Sequence, residues 1–147
     1  MIKLKTRRKK TDRRKMEVLL DGLWSELVRR TAIRIKGGCR RCPRPNQVAY
    51  KALQAAHLFP RAKHTVRWDP NAGAGLCGGC HRYIDSHAEA KVEFAKQILG
   101  EEEYERLYVL SNMTTKQSPI DYKLVEIELR ELLKQETAGA LGEPNNT

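Results

Sequence analysis

Residues 76–87 read LCGGCHRYIDSH, and residues 39–42 read CRRC. A C-x-x-C spacing lets two thiolates face one tetrahedral ion, and the turn between them aims backbone N–H groups at sulfur. Gly37-Gly38 precedes the first pair and Gly78-Gly79 lies inside the second, so both turns have the small residues they need. One such pair alone reads equally well as a redox motif. Two pairs in a chain with no export signal predict a closed structural zinc site made by Cys39, Cys42, Cys77 and Cys80. His81 in place of one Cys is the alternative ligand set. The 34 residues between the pairs exceed a simple zinc ribbon, so something is inserted there, and the insert holds His57.

Outward from these knuckles the pattern changes on both sides. Residues 1–14 are a basic arm with few apolar side chains, predicted to be flexible until a polyanion neutralises it. Met16, Leu19, Leu20, Leu23, Leu27 and Val28 then recur at helical spacing beside Trp24. They predict an N-terminal helix (15–38) whose period runs from about Asp12 to Lys36. Within the zinc-stabilised segment (39–110), Val48–Ala55 and Thr65–Trp68 read as short strands, and Asn71–Gly75 as a loop. Helical spacing returns over His87–Leu99 and Glu101–Leu110. A linker follows, and a helix from Ile120 to about Glu136 with Ser118 as cap and Pro119 in its first position completes the span 111–137. The small polar tail, 138–147, reads as disordered. The predicted class is α+β, mostly α.

Charge adds a functional constraint. The 147 residues carry a formal net charge of +10. Residues 1–67 hold 20 Lys and Arg against 4 Asp and Glu, while residues 68–147 hold 8 against 14. A one-sided excess of this size predicts attraction to nucleic acid, with affinity falling steeply as salt rises. Arg7, Arg8, Lys9, Lys10, Arg13 and Arg14 in the arm, and Arg61, Lys63 and Arg67 near His57, are the candidate phosphate contacts; a solvated basic face is the alternative. No stretch of 18 apolar residues exists, so no membrane span is expected, and the expected location is cytoplasmic.

The order of CRRC, AAHLFPR, VRWDPN and LCGGCHRY, followed by a helix ending in LG before EEEYERL, resembles the HNH nucleases, also called His-Me finger or ββα-metal nucleases. Within them it is similar to the phage NinG (Rap) recombination endonuclease family. The resemblance covers roughly half the chain, Cys39 to about Leu110. It implies a zinc-stapled ββα unit flanked by the long N-terminal helix and two or three C-terminal helices. It also implies a metal-dependent endonuclease acting on DNA, with branched or recombination intermediates as substrates, in the cytoplasm of a bacterial host if phage-encoded. Under it, His57 is the general base, Asn71 orients the first strand or the imidazole, and His81 binds a catalytic Mg²⁺ or Mn²⁺ opposite His57. The sequence departs from the pattern twice. Ala56 stands where a second metal ligand often precedes the base, which leaves Asp85 or His87 to supply it; i, i+4 spacing favours Asp85. Asn71 lies six rather than five residues before Cys77. These departures keep a rival alive, a non-catalytic zinc-ribbon DNA-binding protein. A homodimer paired through the first and last helices would suit an enzyme that cuts junctions.

Overall fold

A computed structural model describes the backbone of residues 2–45 and 48–142 and the side chains of residues 12–45 and 48–138. Its first element is a long helix, α1 (Ile2–Lys36). Leu20, Trp24, Leu27, Val28 and Ala32 are all buried along one stripe of α1. The helix does not start near Asp12, as the sequence suggested, but continues back to Ile2. Lys and Arg are good helix formers, and no Gly or Pro stands between Ile2 and Asp21. Helix α1 ends where Gly37 turns to φ +73° and its N–H meets Ile33 O at 2.7 Å, a left-handed stop that favours glycine.

A single antiparallel pair follows, β1 (Gln54–His57) and β2 (Gly73–Leu76). The register sets Gln54 against Leu76, Ala55 against Gly75, Ala56 against Ala74 and His57 against Gly73. Sequence analysis placed a strand at Thr65–Trp68 and a loop over Asn71–Gly75, and both assignments are corrected here. Residues 65–68 form turns, and the glycines belong to a strand. Glycine is needed there because α1 crosses the sheet at close range. A Cβ on Gly73 would lie 2.1 Å from the Trp24 ring, and one on Gly75 would lie 2.7 Å from Ala32 Cβ. The strand predicted over Val48–Ala55 is likewise shifted: a 3₁₀ turn occupies Tyr50–Ala52, and pairing begins only at Gln54.

The rest is helical: α2 (Gly78–Ser86), α3 (Ala88–Leu99), α4 (Glu101–Ser111) and α5 (Tyr122–Gly142). Ser118 and Pro119 do not open α5; Asp121 does, its Oδ1 accepting from the N–H of Leu124 at 3.1 Å. The helix also runs past Glu136 through residues expected to be disordered, Ala and Leu being strong helix formers. Residues 143–147 lie outside the described ones. Over the described residues the fold is therefore mostly α with one small sheet.

Two apolar clusters share α1. One joins Ala32 to the hairpin, α2, α3 and α4 through Ala56, Leu76, Ile84, Phe94 and Leu107. The other joins Leu20, Trp24, Leu27 and Val28 to Trp68 and to Leu129 and Leu133 of α5. Helices α1 and α5 run side by side in the same direction, with Arg13 over the Tyr122 ring at one end and Arg34 bonded to Glu136 at the other. Among the described residues no helix is long and apolar enough to cross a membrane.

Candidate functional site

The cysteine knuckles are built from three directions. Lys36 at the end of α1 donates through Nζ to the carbonyls of Arg40 and Cys42, which folds the chain back on itself after Gly37. The Arg40 N–H then bonds Gly75 O at 3.1 Å, docking the first knuckle on the edge of β2. The second knuckle joins β2 to α2, where Cys77 caps the helix by accepting from the Cys80 N–H at 3.5 Å.

These tethers bring all four Sγ atoms within 4.8 Å of one another. Cys42 Sγ lies 3.8 Å from both Cys77 Sγ and Cys80 Sγ. A tetrahedron with Zn–S arms of about 2.3 Å has edges of about 3.8 Å, so the cluster has the dimensions of a structural zinc site and could hold such an ion. Burial raises the Cys39 thiol, yet the backbone N–H groups of Cys77, Cys42 and Arg41 outweigh it and bring Cys39 down to about 7. Cys80 is pushed up to about 12, by burial and by the neighbouring thiols, against the opposing Arg41 guanidinium 3.6 Å away. Four sulfurs this close cannot all ionise without a cation among them.

His81 sits in the first turn of α2, directly after Cys80. Its Nδ1 is 2.8 Å from Gln54 Oε1 on β1, and its Nε2 is 3.1 Å from Asp85 Oδ2 one turn along. Lys91 of α3 bonds the other Asp85 oxygen at 3.1 Å. The amide oxygen can only accept, so Nδ1 carries the hydrogen. Nε2 then faces the carboxylate, and two such acceptors come together favourably only with a proton or a cation between them. His87 does not join this pair. Its Nδ1 meets Tyr83 O at 2.8 Å and its ring stacks on Tyr83.

His57 ends β1 and points the other way. Residues paired across the strands share a face, so His57, Ala55, Gly73 and Gly75 turn toward α1, while Gln54 and Ala56 face the opposite side. The His57 ring stacks on Trp24 with centroids 4.2 Å apart and planes 16° apart. Its Nε2 is buried without a hydrogen-bond partner. Burial pushes His57 down to about 4, helped by Arg61, Arg67 and Lys91 and opposed by Asp21. The strand period thus sends His57 and Gln54, the residue that meets His81, to opposite faces of the hairpin, while Lys91, bonded to Asp85, also bears on the His57 ring. Asn71 does not reach His57. It sits in a 3₁₀ turn and donates through Nδ2 to Glu103 Oε1 on α4 at 3.2 Å.

Of the basic candidates, Arg67 is buried and bonded to Asp21, which fits neither the expected phosphate contact nor the alternative of a solvated face. Asp21 of α1 takes Arg67 at 3.0 and 2.7 Å, Arg61 at 2.6 Å and the Trp68 indole N–H at 2.9 Å. These hydrogen bonds hold Asp21 below its ordinary range although burial acts against them. Arg13, Arg14 and Lys63 are exposed, with Arg13 paired to Glu17 at 3.2 Å. The side chains of Arg7, Arg8, Lys9 and Lys10 lie outside the described residues. Gln54, Trp24 and Asp21 were invisible to motif reading, since none stands at a recognisable spacing from its partner. Comparison with protein-family models, curated proteins and solved structures gives no match.

Proposed function

We propose that this protein is a metal-dependent endonuclease of the HNH (His-Me finger, ββα-metal) type that hydrolyses phosphodiester bonds in DNA. The observation that carries the reading is one juxtaposition. A β-hairpin runs into a helix through a four-thiol cluster, and successive turns of that helix present a partly buried His81 and an exposed Asp85 as a pair, braced by Gln54 of the first strand. A single antiparallel pair of four-residue strands is marginal alone, and a zinc ion among the thiols would fix it against α2.

In this reading each residue has a defined task. His57 accepts a proton from water. Its buried Nε2 has no access to solvent, so the exchange runs through Nδ1, and burial keeps the ring neutral near pH 7. His81 Nε2 and Asp85 Oδ2 would hold a divalent cation such as Mg²⁺ or Mn²⁺, which when bound supplies positive charge to the phosphate and the leaving oxygen. Lys91, bonded to Asp85, fixes the carboxylate. Exposed Arg14, Arg44, Lys63 and Arg82 supply phosphate contacts along the backbone of the nucleic acid. The resemblance to the phage NinG (Rap) family makes branched DNA the first substrate to try.

A second reading, a non-catalytic zinc-stapled DNA-binding protein, is favoured by Ala56, which is fully buried where a ligand often stands, and by Asn71, engaged with Glu103. Plasmid and branched DNA incubated with Mg²⁺ or Mn²⁺ separate the two. Cleavage that falls at least about hundredfold in His57→Ala, with zinc retained, supports the enzyme. Equal DNA binding by both proteins with no cleavage by either supports the binding module.

A further inference from the structure

No hydrogen bond to a described residue fixes the His57 imidazole at its buried nitrogen, and the strand partner of His57, Gly73, has no side chain. What meets the ring is Trp24, a residue of α1, outside the hairpin and α2. The indole is 1% exposed and is itself fixed from both sides. Its Nε1 donates to Asp69 O at 2.8 Å in the turn that leads into β2, and its six-membered ring fills the space over Gly73, where a Cβ would come within 2.1–2.6 Å of two ring carbons. We infer that Trp24 is a positioning residue for the hydrolysis: α1 supplies a rigid indole plate that sets the orientation of the His57 imidazole, so the reacting centre is shared between the N-terminal helix and the hairpin.

The inference rests on the nuclease reading and deepens it. A stack at 4.2 Å restrains ring rotation, as a hydrogen-bonded carboxylate would, but adds no negative charge. The charged groups that face His57 are Asp21 on α1, Arg61 and Arg67 on the connection between the strands, and Lys91 on α3. Three of the four disfavour a cationic ring, as does the indole's exclusion of water. Removing the plate admits water and lets His57 take up a proton nearer its ordinary range of about 6.5.

The test uses full-length, zinc-loaded Trp24→Phe, Trp24→Leu and Gly73→Ala, the last of which displaces the indole without removing it. Zinc content and far-ultraviolet circular dichroism establish folding. DNA cleavage is followed from pH 5.5 to 8, and the histidine rings are titrated by NMR with His57→Gln for assignment. The expected result is a wild-type rate without an acidic limb in this range. In Trp24→Leu and Gly73→Ala an acidic limb appears near pH 6–6.5, with kcat reduced about tenfold to hundredfold and KM little changed. Trp24→Phe, which keeps a ring in place, stays within about threefold of wild type. An unmoved His57 titration in both Trp24→Leu and Gly73→Ala overturns the inference whether or not the protein cuts DNA. A wild type whose His57 titrates as described, but which cuts no DNA with either ion, overturns the nuclease reading and with it any catalytic role for the plate.

Discussion

His81 Nδ1 meets Gln54 Oε1 at 2.8 Å, across the seam between α2 and β1. The contact fixes the imidazole by its inner nitrogen and leaves Nε2 facing Asp85. A metal-ligating histidine commonly depends on such a partner, which sets both its tautomer and its angle.

Gln54→Leu removes that partner while keeping the side chain's bulk. Affinity for Mn²⁺, measured by electron paramagnetic resonance titration of the zinc-loaded protein, is expected to fall about tenfold to hundredfold. Zinc content is expected to match that of the wild type. Nitrogen-15 spectra should show His81 changing from the Nδ1–H tautomer to the commoner Nε2–H form. Undiminished Mn²⁺ affinity would show that His81 needs no brace from β1.

The thiol cluster makes a prediction of its own. Cys39 is fully buried and ties the first knuckle into the apolar cluster that includes Ala32 and Leu76. Cys77→Ser and Cys39→Ser should each lower zinc to well under one equivalent by elemental analysis. They should also unfold the hairpin and α2, read as lost amide protection over residues 54–57 and 73–86. The α1–α5 pair, packed on its own cluster, should retain most of its protection. Stoichiometric zinc in Cys77→Ser would mean that His81 or another group replaces the thiolate.

Much of this was legible in the sequence because metal chemistry fixes spacing. Two C-x-x-C pairs predict that Cys39, Cys42, Cys77 and Cys80 converge however the intervening chain is folded. The helices around Leu20–Val28 and Phe94–Leu99 follow from apolar periodicity. The glycines of Gly73–Leu76 read in sequence as conformational freedom, whereas the structure uses them for close approach beneath Trp24 and Ala32. Arg67 is a related case. A basic run looks solvated until a single carboxylate on a distant helix is known to face it, and nothing local to Asp21 announces that 46 residues of separation are closed. The face on which His57 lies depends on strand register, which a one-residue shift reverses.

His57 gives stability a pH dependence whose sign follows from its environment. The folded protein holds the ring near 4, below the ordinary 6.5, so between those values the unfolded chain binds a proton that the folded chain does not. Stability contributed by the neutral ring is complete above about pH 6.5 and declines as pH falls toward 4. Partial exposure of the group reduces the effect, leaving roughly 0.5–1 kcal/mol lost between pH 7.5 and 5.5. Urea unfolding of wild type and His57→Gln at the two values measures it as a difference, with zinc retained in both. The variant should lose less stability on acidification; parallel losses would place the titration elsewhere.

Asp21 separates structural from nucleic-acid-binding arginines. Its two oxygens accept from Arg67, Arg61 and the Trp68 indole, and so join the connection between the strands to α1. Asp21→Asn leaves the Arg67 guanidinium buried without its counter-charge, and a partly buried pair broken on one side costs on the order of 2–4 kcal/mol. Arg67→Leu removes the charge along with the pair and should cost less than Asp21→Asn. Arg61→Ala, at a side chain 63% exposed, should change stability by less than about 1 kcal/mol. DNA affinity divides differently. Lys63→Ala and Arg14→Ala, both at exposed positions, should each reduce the slope of log affinity against log salt by about 0.7–0.9, whereas Arg67→Leu should leave that slope unchanged at a temperature where the protein stays folded. A salt slope that falls in Arg67→Leu as much as in Lys63→Ala would show that the Asp21 pair opens to admit phosphate.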